Sequence, residues 1–263
     1  MVLALVPGKK GSRGLCVNDG GSGGVPVLFV HSLAGNAAQW HSQLYHLRRT
    51  RRAVGFDLRG HGSSPPPEDR DYSIESMAED IGTVANALAL GRFILAGHSM
   101  GGTLAIAFAA KHPEKVAGLF LADPSGDARR VPREQISQLI QGLESDSYQR
   151  VIEGYWSVLL AGSRPEVRER VIQDLRDTPR ETVVRAFRQS LDYDPLTPLQ
   201  SYRGPKLSVT TDLNDAPFSL HNLLPDLPHI RITGTGHWLQ MDRPDEFDRI
   251  LDAFLKQMDA KNG

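Results

Sequence analysis

An α/β fold, with a mostly parallel sheet covered by helices on both faces, is predicted by three features of the sequence. Up to residue 125, short apolar runs of strand length alternate with amphipathic runs of helical spacing. Between residues 126 and 199 the strand signals vanish and only helical stripes follow. After residue 200 the alternation resumes. One core, 1–125 with 200–263, is therefore expected to carry a helical cap at 126–199, and a chain of 263 residues is long enough for it.

Each element has a local reason. Gly14 to Asn18 alternates as a short strand, and the glycine-rich turn Asp19 to Gly24 follows. That turn lacks a phosphate-loop lysine and leads into a strand, so it reads as a connection and not a nucleotide site. Val25 to Val30 is a β-rich apolar run of the buried parallel kind. Asn36 can cap a helix carrying Trp40, Leu44 and Leu47 on one stripe. Ala53 to Phe56 is the next strand, ending at Asp57. Ser73 can cap a helix with Ile74, Met77, Ile81, Val84 and Leu88 at helical spacing, stopped by Gly91. Phe93 to Ala96 is a strand, a Gly/Ala-rich helix runs to Lys111, and Val116 to Ala122 is a strand again.

Four amphipathic segments fill 126–199. Their stripes are Ile136/Leu139/Ile140/Leu143, Val151/Ile152/Tyr155/Trp156/Leu159, Val167/Val171/Leu175 and Val183/Val184/Phe187/Leu191. Lys206 to Thr210 and His229 to Thr233 read as strands. A last helix starts at Pro244, with Phe247, Ile250, Leu251, Phe254 and Met258 facing inward.

Composition narrows the function classes. A formal net charge of −1 gives no global attraction for nucleic acid or an anionic membrane, so neither is expected as a partner. No stretch approaches the ~18 apolar residues that span a bilayer. The apolar run Val2 to Val6 is too short for a secretory signal, and Lys9 and Lys10 follow it where a signal would have them first. The single cysteine, Cys16, excludes an internal disulfide framework; with no signal, a cytoplasmic location is expected. No Cys/His cluster suggests a metal, and no cofactor is expected.

The chemistry centres on Gly97-His98-Ser99-Met100-Gly101, which lies where a strand ends and a helix begins. A serine between glycines at i−2 and i+2 fits the G-x-S-x-G nucleophile elbow. The turn is too tight for side chains at the flanking positions, and the serine is forced into a strained conformation that lifts its Oγ above the sheet edge. The helix that starts there aims its positive end, roughly +0.5 of a charge, at a developing oxyanion.

A serine hydroxyl needs a base, and the base needs an orienting group. Of nine histidines, His237 lies in the loop Gly234 to Trp238, directly after the last strand. His221 and His229 are its rivals. For the carboxylate, Asp215 is preferred in the loop after Lys206–Thr210, with Asp212 and Asp123 as alternatives. The backbone N–H of Met100 and that of Leu33, in the loop after Val25–Val30, are the expected oxyanion donors. His31 is expected to hold that loop by hydrogen bonds, and His98 to pack beneath the elbow. Trp156, Tyr155 and Phe187 are candidates for the wall of a substrate pocket, against the competing reading that they only pack the helices together.

The segments His31 to Gly35, Phe56 to Ser63, Gly97 to Gly102, Leu121 to Pro124 and Gly236 to Trp238 occur in an order that resembles the α/β-hydrolase superfamily, in its cap-bearing esterase, lactonase, haloperoxidase-like and carbon–carbon hydrolase branches. The resemblance implies a sheet of about eight strands, the chain order Ser–Asp–His for the triad, and a structural role for Asp57 to Gly62. It also implies a small ester or lactone as partner. Two departures stand out: Ser32 replaces the usual glycine beside the oxyanion loop, and Pro205 to Asp215 lacks a glycine and is one residue longer. Ser99 at the nucleophile position disfavours dehalogenation and epoxide opening by an aspartate. The expected activity is hydrolysis of a small carboxylic ester through an acyl-enzyme. Lactone or carbon–carbon bond cleavage on the same triad, or a slow ligand-binding receptor of the same fold, are the alternatives.

Overall fold

The computed structural model describes residues 2–7 and 14–262, so Lys9 and Lys10 lie outside the described residues. Among the described residues eight strands form one sheet: β1 (Val2–Val6), β2 (Leu15–Gly20), β3 (Val27–Val30), β4 (Ala53–Phe56), β5 (Phe93–His98), β6 (Val116–Ala122), β7 (Lys206–Thr210) and β8 (His229–Arg231). Their order across the sheet is β1-β2-β4-β3-β5-β6-β7-β8. β1 and β2 form an antiparallel hairpin, and β2 runs antiparallel to β4. Every later pairing is parallel. The first hydrogen-bonded partner of β1 is thus its sequence neighbour, whereas Val2 to Val6 by itself shows only an apolar run.

The central strands β3 to β6 are buried along their whole length, as parallel strands covered on both faces must be. Alternate side chains serve two cores. Leu28, Val30, Phe93 and Leu95 face one of them, while Val27, Phe29, Ile94 and Ala96 face the other. The first core is closed by helices α2 (Ile74–Ala87) and α3 (Met100–Lys111). The second is closed by α1 (His41–Leu47) and the C-terminal α11 (Pro244–Asn262). The register shifts beside Phe93/Ile94. There Ala117 joins the α11 side, and a Cβ on Gly118 would meet Phe254 and Met258 of that same helix at 3.0 Å. A bulge with a small residue keeps α11 close.

The expected caps form. Asn36 accepts from the Ala38 N–H at the start of a 3-10 turn leading into α1, and Ser73 accepts from the Ser76 N–H at the start of α2. Asp57 takes the Ala37 N–H at 2.7 Å and the Ser63 N–H at 2.8 Å, which fastens the turn after β4 to the start of that 3-10 turn.

Between β6 and β7 lie α4 (Arg133–Glu144), α5 (Tyr148–Leu159), α6 (Pro165–Asp177), α7 (Arg180–Asp192) and the short α8 (Leu196–Ser201). The apolar stripes of α5, α6 and α7 are buried in the same core as α2 and α3. Two more single-turn helices, α9 (Leu220–Leu223) and α10 (Leu239–Asp242), flank β8 and the loop that follows it. His221 sits on α9 but is buried, and β8 ends at Arg231, two residues before Thr233.

Candidate active site

Ser99, Asp123, His237 and the Leu33 loop all follow the C-terminal ends of parallel strands. At the end of β5, Ser99 has φ 54° and ψ −119°, the strained conformation expected of a serine at this turn. The two glycines around it are steric necessities. A Cβ on Gly97 would lie 2.2 Å from the Gly101 carbonyl oxygen, and one on Gly101 would lie 2.4 Å from that of His31. The Ser99 carbonyl accepts the Gly102 and Thr103 N–H groups, so the turn passes directly into the first turn of α3. Met100 is the first residue of that helix.

His237 follows β8, and its Nδ1 donates to Asp123 Oδ2 at 2.6 Å. That contact fixes the tautomer and leaves Nε2 as the basic nitrogen. Asp123 stands immediately after β6, fully buried and with φ 40°. Its remaining acceptor capacity is filled by Thr211: the backbone N–H donates to Oδ1 and Oγ1 donates to Oδ2, both at 2.9 Å. A carboxylate so supplied stays in place at no desolvation cost beyond what its hydrogen bonds offset.

The expectation that Asp215 orients the histidine is therefore corrected. Asp215 is exposed and bonded to Arg231 at 2.9 Å, with Asn222 at 3.2 Å; these partners hold its carboxyl below the usual range. Asp212 is also exposed, and its Oδ2 accepts the Gly234 N–H at 3.3 Å. The carboxylates after β7 are turned outward because that loop winds through a 3-10 turn from Asp212 to Asn214. Thr211, inward-facing and fully buried, is the residue of that loop which reaches the site. It was not visible as a functional residue in the sequence; a polar Thr-Thr pair ending a buried strand is its only signal.

The loop after β3 is held by His31, whose Nδ1 donates to the Ser32 carbonyl at 2.7 Å while Nε2 accepts the Leu58 N–H at 2.9 Å. Complete burial pushes the His31 pKa down to about 4, so it stays neutral as this bonding requires. Ser32 is buried and its Oγ donates to Gln39 Oε1 at 3.2 Å. Gln39 also receives Trp238 Nε1 at 3.3 Å and donates to Asp174 of α6 at 3.0 Å. Ser32, in place of a glycine, thus joins the loop carrying Leu33 to the loop carrying His237.

His98 is fully buried under the elbow. Its Nε2 donates to the His237 carbonyl at 2.9 Å, and burial together with His237 lowers its pKa well below that of a free histidine. His221 and His229 stack on each other, at 4.7 Å between centroids, away from the site. Among the described residues no group of three or more His, Cys, Asp or Glu side chains could hold a metal ion.

Ser99, Met100, Leu33, Asp123 and His237 line one cavity of about 380 Å³, and so do Trp156, Tyr155 and Phe187 from α5 and α7. Asp212 and Asp215 do not. Trp156 and Phe187 are also core residues, so packing the helices and forming the wall are the same job for them.

Residues 25–244 match the α/β hydrolase fold family. The chain belongs to that family. Among curated α/β hydrolase relatives, abhydrolase domain-containing protein abhd-5.2 of Caenorhabditis elegans is 25% identical over 268 residues, spanning 90% of this chain and 60% of its own length. The 2-(acetamidomethylene)succinate hydrolase of Mesorhizobium japonicum is 26% identical over 262 residues, spanning 92% of this chain and 91% of its own. Among solved structures, a thermophilic esterase from Thermogutta terrifontis matches with a TM-score of 0.83 at 26% identity, covering 98% of each chain. No helix among the described residues is long and apolar enough to cross a membrane.

Proposed function

We propose that this α/β hydrolase cleaves a small carboxylic ester through a Ser99–His237–Asp123 acyl-enzyme mechanism. The observation that carries the reading is the 2.6 Å His237–Asp123 hydrogen bond beside a strained Ser99 that shares its cavity. His237 Nε2 takes the Ser99 proton as Oγ attacks the ester carbonyl. The charge that develops on the carbonyl oxygen meets the N–H groups of Met100 and Leu33, each worth on the order of 3 kcal/mol in the transition state. His237 then protonates the leaving alcohol, activates water against the acyl-enzyme, and returns its proton to Ser99 as the acid departs. Asp123 accepts the Nδ1–H of His237 throughout and stabilises the imidazolium.

Residues 126–199 act in this reading as a cap that closes the acyl side of the cavity. The resemblance in shape to the Thermogutta esterase agrees with ester cleavage. The succinate hydrolase relative fits less well, because a dicarboxylate would need cations and none lines the cavity among the described residues. Cys16, free and half-buried, needs no oxidising compartment, which suits a cytoplasmic location.

The test combines turnover of p-nitrophenyl butyrate with labelling by a fluorophosphonate that reacts with activated serines. Wild type is expected to do both and Ser99→Ala neither, with a loss of at least ~10⁴-fold in kcat/KM. Equal rates in the two proteins would sink the proposal. A lactone in the same panel shows whether cyclic esters share the site.

A further inference from the structure

Resting on the ester reading above, we propose that the acyl group accepted here is electrically neutral and of medium length, and that acyl chains carrying a carboxylate are rejected. The inner wall of the cavity is made by Tyr155, Trp156, Phe187 and Leu191, of which the last three are buried core residues. Neither lysine nor arginine lines the cavity among the described residues. Its ionisable groups are Asp123 and His237, already bonded to each other, and the Tyr155 hydroxyl, whose pKa burial raises so that it stays neutral.

The guanidinium nearest in sequence to the lining residue Ala128 is also committed. Arg129 is forked on Asp127 at 2.8 and 2.9 Å and reaches Asp194 at 2.8 Å. An anionic acyl tail would therefore lose its hydration against aromatic and aliphatic side chains with no counter-charge to replace it. The one carboxylate among the described lining residues, Asp123, has the same sign as such a tail.

A neutral chain gains from the same wall. Each methylene buried contributes about a fourfold gain in kcat/KM until the space is full. The cavity's 380 Å³ is near the lower end of the roughly 300–1,000 Å³ of small-ligand pockets, which limits the acyl chain to medium length. The open side lies at Val131, Gln135 and Leu213, where Gln135 and Leu213 are exposed, so the alcohol is directed towards solvent and is selected less.

The experiment is a kcat/KM series on p-nitrophenyl acetate, butyrate, hexanoate, octanoate and dodecanoate, with the hemiglutarate ester as the anionic counterpart of the hexanoate. Wild type is expected to rise along the series, to peak between butyrate and octanoate, and to cleave the hemiglutarate at least 100-fold less well than the hexanoate. Ser190→Arg, which places a cation on the half-buried α7 position beside Leu191, is expected to narrow that gap at least tenfold. The wild-type series decides the matter even where this variant does not fold. A flat response to chain length, or a hemiglutarate cleaved as well as the hexanoate, overturns the inference while ester hydrolysis stands. No turnover of any ester above the Ser99→Ala background overturns both.

Discussion

Asp123 is fully buried and held by three contacts, two from Thr211 and one from His237. Replacing it by Asn leaves an amide that can present an N–H to His237 and so favour the wrong tautomer. Asp123→Asn is expected to lower kcat by about 10³- to 10⁴-fold with the fold retained, read by ester turnover and circular dichroism. Asp215→Asn disturbs contacts at the surface alone, with Arg231, Asn222 and His221, and solvent screens them. Its turnover is expected to stay within about twofold of wild type, and a large loss there would restore Asp215 as the acid. The sequence made Ser99 and His237 legible because each sits in a motif whose spacing has a steric or positional reason. The carboxylate was less legible, since Asp123, Asp212 and Asp215 all satisfy the order Ser–Asp–His. What separates them is direction: Asp123 ends an all-buried strand, whereas the other two lie on a 3-10 turn that exposes them.

At the scale of elements, the loop bearing His237 is tied to the helices of 126–199 through one carboxylate. Asp242, buried on α10, accepts Thr235 Oγ1 at 2.9 Å, the Gly236 N–H at 3.1 Å, Ser163 Oγ at 2.9 Å and the Arg164 N–H at 2.9 Å. The His237 N–H itself donates to the Leu159 carbonyl at the end of α5. The base is thus positioned jointly by the β8–α10 loop and the α5–α6 turn. Truncation of Asp242 strands four donors, three of them paired to one oxygen; those of Thr235 and Gly236 are buried, and each such orphan costs about 1–3 kcal/mol. Asp242→Ala is expected to lower the melting temperature by roughly 5–20 °C and kcat by roughly tenfold, with KM changed less than threefold. A fall in melting temperature with kcat unchanged would make Asp242 a stability residue alone. Asp242→Asn, which keeps one carbonyl acceptor, is expected to fall between. None of this was visible beforehand, because a bond between positions 79 residues apart, as from Ser163 to Asp242, leaves no local pattern. The strands and long helices were visible, since their periodicity is set by burial. The single-turn α9 and α10 were not, being too short to show a period.

For the whole molecule, the turns that hold the site together rest on histidines that fold only when neutral. Burial pushes His31 down to about 4 and His61 to about 3, and His98 lies well below the ordinary value. In the unfolded chain each titrates near 6.5. Between those values the unfolded chain binds protons that the folded one refuses. The stabilisation from keeping these groups neutral is therefore complete above pH 6.5 and is lost as pH falls from there towards 4. Three such groups give a slope of about 4 kcal/mol per pH unit once well below 6.5, at about 1.4 kcal/mol for each proton. That slope is large beside a domain stability of about 5–15 kcal/mol. Burial also raises the Asp57 and Asp174 carboxyls above 3.8, which acts in the opposite sense: their protonation in the folded state relieves a cost as pH falls. On the acid side the three histidines and these two carboxyls therefore pull stability in opposite directions. Urea unfolding at pH 8, 7, 6 and 5.5 is expected to show a plateau above 7 and a steep fall below 6. His61 is the cleanest of the three to remove, because its Nε2 has no hydrogen-bond partner among the described residues and its ring does not line the cavity of Ser99 and His237. His61→Gln is expected to cut the slope below pH 6 by about a third, whatever it does to stability at pH 8. An unfolding free energy that stays level from pH 8 to 5.5 would show that these rings carry their protons inside the fold, and that the turns around the oxyanion loop are held in some other way.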